Sequence, residues 1–303
     1  MDLRQGDCLE ILKDIKDKSI DFVFLDLPYQ QTAMKWDKKI DLKELWKHLK
    51  RVARNERTPF FFTCTTKFGY ELIKSNPKYF RWDLVWEKNR PVGFLNAYKL
   101  PMRKHEMIYC FAKKTPEYDV SSHTEYKEEK NPTPHNAEIY GLNKKTKGKR
   151  YKERLPTSVI PPQEDHELIY CFAKKTPEYD VSSHTNKGVI RDKKDIGTKT
   201  EDVYGMTKNI IGKVHKERLP TSVLPSSWCK IDLDVKTGHR TAKPVKLMEY
   251  LLKYWSKEGD TILDPTAGSG SMGIACKNMN RKFIGIELNE DIFELMKKRI
   301  DEA

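Results

Sequence analysis

The sequence predicts an α/β fold in which a mostly parallel sheet carries helices on both faces. Residues 261–263 form a short apolar run typical of a buried parallel strand, followed by a glycine-containing loop and a helical pattern. Residues 281–287 then indicate a second strand with an acidic end. Residues 20–26 form another apolar strand that ends in a carboxylate, and helical patterns lie between such strands, as in α/β proteins.

The loop after residue 263 predicts a nucleotide-like ligand. Gly268 and Gly270 allow the backbone to approach a ligand closely, and Glu287 follows at a spacing suited to holding a ribose hydroxyl pair. Asp264 and Pro265 lead the loop, and a carboxylate at this entry would repel a pyrophosphate. The loop therefore favours a ligand with a positive amino group over a nicotinamide dinucleotide.

Length and composition limit the class of protein. The 303 residues are enough for one large α/β domain or two smaller ones. The net charge of +13 predicts a polyanionic partner, nucleic acid first, although a lysine-rich soluble protein has the same balance. Six scattered cysteines without a C-x-x-C pair predict reduced thiols and no metal site. Without a membrane-length apolar run or a signal-peptide core, we expect a soluble, cytoplasmic protein.

The N-terminal part of the chain alternates between strand and helix patterns. Strands are predicted at residues 2–7, 20–26, 59–64, 81–88 and 103–112, and helices at 8–16, 42–52 and 68–75. The last two strands are joined by a long loop, which predicts an antiparallel pair at a sheet edge. Asp26 and Tyr29 lie where the clearest strand ends, at the sheet edge where α/β proteins bind ligands. A strand end with a chance Asp and Tyr is the alternative interpretation.

The middle of the chain contains a tandem duplication. Residues 108–124 recur unchanged as 169–185, and a shorter match follows each copy. Because two copies are too few for a solenoid, we interpret one copy as surplus in a fold that needs the segment once. We expect residues 106–112 to keep the sheet position and residues 167–174 to form an extra strand or an exposed segment.

The duplicated region is also polar and basic. Its basic runs include Lys144, Lys145, Lys149, Arg150, Lys193 and Lys194. Tyrosines such as Tyr140 and Tyr204 lie among these charges, which favours a segment that contacts phosphates. A solvated or disordered loop is the alternative.

The last third returns to regular patterns. Residues 239–245 lead into a predicted helix at 246–255, and an amphipathic helix at 290–300 follows the two C-terminal strands.

The combination of motifs resembles the amino-methylating DNA methyltransferases. Residues 26–29, Asp-Leu-Pro-Tyr, are similar to their catalytic motif, usually D-P-P-Y, and residues 264–270 are similar to their S-adenosylmethionine motif. Residues 239–244 resemble the H-P-T-x-K-P segment that precedes the cofactor motif, and residues 6–7 match the cofactor-adenine position. The catalytic motif comes first, as in the permuted, beta-type members. The chain looks most like the small enzymes of phages and their hosts.

Two features depart from the family pattern. Leu27 replaces the usual first proline, which keeps the backbone carbonyl but loses some stiffness. The duplication is not a family feature and interrupts the region in which such enzymes recognise their target.

The resemblance implies a domain organisation. The fold would be a Rossmann-like S-adenosylmethionine-dependent methyltransferase sheet with helices on both faces and an inserted, duplicated target-recognition region. Residues 1–124 would be the catalytic half, residues 125–235 the target-recognition region, and residues 236–303 the cofactor-binding half.

The resemblance also implies roles for individual residues. Asp26 and the Leu27 carbonyl would accept hydrogen bonds from the target amine, Pro28 would stiffen the loop, and Tyr29 would stack on the base. For S-adenosylmethionine, the predicted contacts are Asp7 at the adenine, Glu287 at the ribose, Asp264 with Pro265 at the methionine amino end, Lys243 at the methionine carboxylate, and Gly268 and Gly270 at the backbone. No metal is implied.

The implied reaction is transfer of a methyl group to the N6 amino group of adenine in double-stranded DNA, with the base flipped out of the helix. Adenine is favoured because the motif begins with Asp26. Three alternatives stay open: methylation of the N4 amino group of cytosine in DNA; a cofactor- and DNA-binding protein inactivated by the duplication; and methylation of RNA or a protein amide. The sequence leaves open whether the protein forms a homodimer and whether it has a cognate restriction nuclease.

Overall fold

The computed structural model describes residues 1–29, 40–93, 101–119, 121, 159–160 and 242–303. These residues form one eight-stranded sheet with the order β1-β8-β7-β2-β3-β5-β4-β6. The strands are β1 (Asp2–Gln5), β2 (Phe22–Leu25), β3 (Phe60–Cys64), β4 (Phe80–Val92), β5 (Arg103–Phe111), β6 (Val159–Ile160), β7 (Thr261–Asp264) and β8 (Lys282–Glu287). The helices are α1 (Cys8–Ile11), α2 (Leu42–Val52), α3 (Thr66–Ser75), α4 (Val245–Trp255), α5 (Ser271–Asn278) and α6 (Glu290–Glu302).

The sheet is parallel from β1 to β3 and becomes antiparallel at β5. Strand β7 pairs in parallel with β8 on one side and with β2 on the other, where Val23 lies opposite Leu263. From β7 the chain continues to β8 on one side of the sheet, and from β2 it continues to β3 on the other side. The boundary between β7 and β2 is therefore a topological switch point, and such points form a crevice at the carboxyl ends of the strands. The predicted Rossmann-like α/β fold is confirmed.

Helices cover both faces because alternate side chains of each strand point to opposite sides. On one face, Val23 and Phe62 pack with α1, α2 and α3. On the other face, Phe24 and Phe61 pack with α4, α5 and α6. Each apolar strand is thus buried on both sides, which explains why its sequence is continuously apolar instead of alternating between apolar and polar residues.

The antiparallel pair β4 and β5 is confirmed, but its predicted position at the sheet edge is only approximate. Strand β5 lies between β3 and β4, and the two-residue β6 pairs in parallel with β4. Strand β6 comes from a segment that the sequence patterns did not identify as a strand.

The helix predicted at residues 8–16 is shorter than expected. Helix α1 ends at Ile11 and continues as a 3-10 turn over Leu12–Asp14. The guanidinium of Arg51 donates hydrogen bonds to the carbonyls of Leu12, at 2.5 Å, and Ile15, at 2.7 Å. These carbonyls therefore have partners without a longer helix.

The first copy of the duplication supplies strand β5, as predicted for residues 106–112. Residues 167–174 of the second copy lie outside the described residues. No helix in the described part of the chain is long and apolar enough to cross a membrane.

Candidate active site

The site lies where β2 and β7 end side by side. Asp26 follows β2 directly, and Asp264 is the last residue of β7. The backbone N–H of Asp26 donates a hydrogen bond to the Thr266 hydroxyl at 3.2 Å. This bond ties the Asp-Leu-Pro-Tyr loop to the glycine loop, so two motifs that are 240 residues apart in the chain meet at one sheet edge.

Both carboxylate oxygens of Asp26 accept hydrogen bonds from neighbouring side chains. Oδ1 accepts from the Tyr29 hydroxyl at 2.9 Å and from the Thr63 hydroxyl. Oδ2 accepts from the Lys243 ammonium group, and the two form an ion pair. The carboxylate is thereby fixed in orientation, which a group that must aim at a substrate atom requires.

The surroundings of Asp26 favour its ionised form. Burial opposes ionisation, but the positive charge of Lys243 and the hydrogen bonds from Lys243, Thr63 and Tyr29 outweigh it and lower the pKa of Asp26. Burial likewise opposes the charge of Lys243, yet the negative charges of Asp26 and Glu106 raise the pKa of that ammonium. At neutral pH the pair is therefore a carboxylate and an ammonium, and Asp26 serves as an acceptor.

Tyr29 stays protonated next to this carboxylate. Burial, together with the charge of Asp26, raises the pKa of Tyr29 well above its ordinary value. Its ring lies 5.3 Å from that of Phe68, centroid to centroid. Stacking of Tyr29 on a base remains a prediction, and its described role is to donate to Asp26.

The loop between Asp26 and Tyr29 is anchored by its leucine. Leu27 is buried and packs in the apolar cluster under α1, α2 and α3. A leucine at this position therefore replaces some of the stiffness lost with the proline by apolar packing.

The glycine loop presents a buried carboxylate that forms no ion pair within the described part of the chain, although the charge of Lys243 acts on it from a distance. Asp264 is only 3% exposed, and its Oδ1 accepts a hydrogen bond from the Thr266 N–H at 3.1 Å. Burial raises the pKa of Asp264 well above its ordinary value, and the charges of Asp26 and Glu287 act in the same direction. The Ser271 hydroxyl, at the start of α5, is buried without a hydrogen-bond partner among the described residues. Such a site suits a ligand that brings a positive amino group.

Glu287 connects the end of β8 to the glycine loop. Its Oε2 accepts a hydrogen bond from the Gly268 N–H at 2.9 Å, and its Oε1 accepts from the Asn289 N–H at 2.9 Å. The Gly6 N–H donates to the Glu287 carbonyl at 2.9 Å, which places Asp7 at the same edge. The Asp7 carboxylate caps α1 by accepting from the Leu9 N–H at 2.8 Å.

The two predicted glycines both have left-handed backbones, with φ of 52° at Gly268 and 82° at Gly270. A Cβ on Gly270 would lie 2.7 Å from Cγ of Met296 in α6. The described contacts therefore explain Gly270 by helix packing and turn geometry, while close approach to a ligand remains a prediction.

The surroundings of Lys243 differ from the predicted ones. We expected this residue at the methionine carboxylate of the cofactor, but its Nζ contacts Asp26 Oδ2 and lies 3.8 Å from Glu106 Oε2. Its described partners are thus on the catalytic side of the site. The cofactor role remains a prediction.

Three residues of the site were not predicted from the sequence: Thr63, Thr266 and Glu106. Thr63 and Glu106 lie on strands β3 and β5, on the face that Phe61 and Ile108 share with α4. A polar residue at an inward position of an apolar strand was the available signal, but its partner is visible only in three dimensions. The predicted nucleic-acid contacts Lys144, Lys145, Lys149, Arg150, Lys193 and Lys194 lie outside the described residues.

Replacement of Asp264 by Asn should increase the stability of the ligand-free protein at neutral pH and weaken cofactor binding. The raised pKa means that the fold disfavours the charged carboxylate, so stability is lost as pH rises from the unfolded-state pKa through the folded-state pKa. Asp264→Asn removes this loss. Thermal melts between pH 4 and 8 and calorimetric titration with cofactor would measure both effects.

A suitable control is Asp260→Asn, at the amino end of β7. Burial also raises the pKa of Asp260, so this variant should show a stability gain of the same sign with unchanged cofactor affinity. Equal cofactor affinity in Asp264→Asn and the unmodified protein would contradict the predicted contact.

Comparison with known proteins identifies relatives of one kind. The family model described as DNA methylase, for N6 and N4 methyltransferases, matches residues 142–298, just over half of the chain. The Type II methyltransferase M.HinfI of Haemophilus influenzae is 23% identical over 98% of this chain and 67% of its own length. M.HpaI of Haemophilus parainfluenzae is 44% identical over 63 residues, which are 21% of this chain and 20% of that protein. Over the matched regions, the chain spans only a fifth to a quarter of the length of the first curated relatives.

Solved structures show the same fold. The crystal structure of the M1.HpyAVI–SAM complex has a TM-score of 0.53 and 19% identity, covering 99% of this chain and 98% of that one. The cytosine-N4-specific PvuII DNA methyltransferase also has a TM-score of 0.53, at 12% identity, covering 98% and 85%.

Proposed function

Because this chain belongs to the DNA methylase family of N6 and N4 methyltransferases, we propose that it transfers a methyl group from S-adenosylmethionine to the N6 amino group of adenine in double-stranded DNA. The observation that carries this proposal is the meeting of two loops at the ends of β2 and β7. The hydrogen bond from Asp26 to Thr266 holds an ionised acceptor beside the buried carboxylate of Asp264, which suits a cationic ligand.

The first task of the site is to make the target amine nucleophilic. The lone pair of an exocyclic amine is delocalised into the ring, and hydrogen-bond acceptors aimed at its hydrogens localise that pair on nitrogen. Asp26 and the Leu27 carbonyl are the acceptors. The lowered pKa of Asp26 keeps its carboxylate ionised, so it accepts a hydrogen bond without first losing a proton.

The second task is alignment. S-adenosylmethionine, when bound, supplies a methyl group on a positively charged sulfur, which needs no acid or metal to leave. Asp264 would pair with the amino end of this cofactor, Glu287 would bind its ribose, and Asp7 its adenine. Because these carboxylates are fixed by backbone hydrogen bonds, they hold the donor close to the amine, and proximity supplies much of the rate.

The third task is presentation of the base. The site lies at the carboxyl ends of the strands, and we expect a base to reach it only after leaving the duplex. We assign the basic runs, from Lys144 to Arg150 and at Lys193 and Lys194, to contacts with DNA phosphates. In the proposed complex Tyr29 lies against the flipped base while its hydroxyl donates to Asp26.

The proposal is tested by mass spectrometry of nucleosides. Purified protein is incubated with S-adenosylmethionine and unmethylated double-stranded DNA, and the DNA is then digested. We expect N6-methyladenine, absent from samples without cofactor. N4-methylcytosine would retain the mechanism but reverse the base, and methylation of RNA or protein alone would overturn the DNA assignment. Bound cofactor without any methylated product would point to a binding protein.

A further inference from the structure

A row of four alternating charges crosses the sheet at the site: Lys88, Glu106, Lys243 and Asp26. The Lys88 ammonium pairs with Glu106 Oε1, and the Lys243 ammonium pairs with Asp26 Oδ2. Lys243 Nζ also lies 3.8 Å from Glu106 Oε2. The row therefore has one long link, between Lys243 and Glu106.

Glu106 is unusual because it is buried with one unsatisfied oxygen. The residue is 8% exposed, and Oε2 has no hydrogen-bond partner among the described residues. A buried carboxylate oxygen without a hydrogen bond costs free energy, so its retention needs a reason. Glu106 lies opposite Trp86 in the β4–β5 pair, on the face of the sheet that carries α4. Oε2, the oxygen without a hydrogen bond, lies nearest to Lys243, the second cation of the row.

The hydrogen bonds of Asp26 raise a difficulty for the proposed reaction. Oδ1 already accepts from two hydroxyl groups, of Tyr29 and Thr63, and Oδ2 accepts from Lys243. A target amine must therefore share or replace one of these donors. Lys243 is the only one of these donors on Oδ2, and it has a second carboxylate within reach, since Glu106 Oε2 is 3.8 Å away. The Tyr29 hydroxyl also has a second acceptor, the Thr63 hydroxyl oxygen at 3.1 Å, but its departure would leave Oδ1 bonded to Thr63.

We propose that Lys243 moves from Asp26 Oδ2 to Glu106 Oε2 when the target amine enters, so that Glu106 is the positioning residue that frees the catalytic carboxylate. This inference rests on the proposed function. The move is short, and it keeps the ammonium paired throughout. Lys88, bonded to Oε1, holds the Glu106 carboxylate in place while Oε2 receives the second ammonium.

The buried setting makes this exchange better than release of Lys243 to solvent. The Lys243 side chain is 12% exposed, and a buried ammonium without a partner is strongly unfavourable. Without Glu106 as a second carboxylate, Lys243 would remain on Asp26 and compete with the amine. Glu106 thus acts on the reaction through Lys243 and does not need to touch the base.

The test is a double-mutant cycle on the single-turnover rate of methyl transfer. Glu106→Gln should slow transfer by about 10- to 100-fold, because poor alignment of reacting groups can cost about 100-fold, and cofactor affinity should stay within about twofold. In a Lys243→Met background no ammonium has to be received. Glu106→Gln should then have little further effect, within about twofold.

Glu87→Gln is the matched control. Like Glu106, Glu87 is buried, and its carboxylate pairs with Lys104. Glu87 lies on β4 and shares a face with Val85, on the opposite side of the sheet from α4. This variant should lose stability without a comparable loss of single-turnover rate. Thermal melts of all variants would show that they are folded.

Two results would overturn the inference. One is an unchanged rate in Glu106→Gln, and the other is an equal slowing by Glu106→Gln in the presence and absence of Lys243. If the unmodified protein binds the cofactor but methylates no DNA, the proposed function itself fails, and the inference falls with it. If the unmodified protein is active but the effects of Glu106→Gln and Lys243→Met on the rate are additive, the inference fails and the proposed function stands.

Discussion

Asp26→Ala should reduce the rate of methyl transfer by about 1,000-fold or more and leave the affinity for S-adenosylmethionine nearly unchanged. Removal of a single preorganised group that stabilises a transition state costs about 100- to 1,000-fold, and Asp26 also orients Tyr29 and Thr63. The predicted cofactor contacts Asp264, Glu287 and Asp7 lie on β7, on β8 and at the start of α1, so we expect them to survive the change. Single-turnover transfer of labelled methyl and calorimetric titration with cofactor would measure the two quantities.

The same substitution removes the ion-pair partner of Lys243, so its effect on folding must be separated from its effect on catalysis. Breaking a fully buried pair by removing one partner costs about 3–5 kcal/mol of unfolding free energy, and the cost here is smaller because the Asp26 side chain is 26% exposed. Asp26→Asn keeps the shape and one acceptor oxygen, and Asp26→Ala with Lys243→Met removes the unpaired charge. Both should fold. Asp26→Asn should be slowed less than Asp26→Ala because it keeps one acceptor, and the double variant should be inactive because it keeps none. Turnover retained in the double variant, with thermal melts showing a folded protein, would exclude Asp26 from the catalytic role.

Gly270→Ala should destabilise the protein far more than Gly259→Ala, although both glycines have φ of 82°. A left-handed backbone with a side chain costs about 1–2 kcal/mol at each position. At Gly259 an added Cβ meets nothing within 4 Å, whereas at Gly270 it would lie 2.7 Å from Met296 Cγ and 3.1 Å from Ile300 Cδ1. Overpacking of this kind adds about 1–3 kcal/mol. The two variants therefore isolate the packing of α6 against the glycine loop.

Chemical denaturation of both variants would measure this difference in unfolding free energy. Gly270→Ala should also weaken cofactor binding, since relief of the clash displaces α6 or the loop that begins at Asp264. Gly259→Ala, at the opposite end of β7, should bind the cofactor normally. Equal unfolding free energies for the two variants would contradict the packing role of Gly270, and normal cofactor affinity in Gly270→Ala would contradict the role of the loop.

Much of the fold was accessible from local patterns. Strand β2 and the strand–loop–helix–strand unit from β7 to β8 are encoded by contiguous residues, so apolar runs, glycines and terminal carboxylates identify them. Strand β6 was not found because two residues carry no periodicity. Helix α1 was predicted too long because its end depends on Arg51, which is remote in sequence.

The sequence by itself determined the fold class, the antiparallel β4–β5 pair, and the two loops that begin at Asp26 and Asp264. These features are local, and each motif carries its own strand, turn and charge. Only the tertiary structure decided that Lys243, 217 residues after Asp26, pairs with it and that Glu106 lies within reach of both. The physical reason is that the partners of a buried charge are chosen by sheet order and strand register, which no spacing along the chain records.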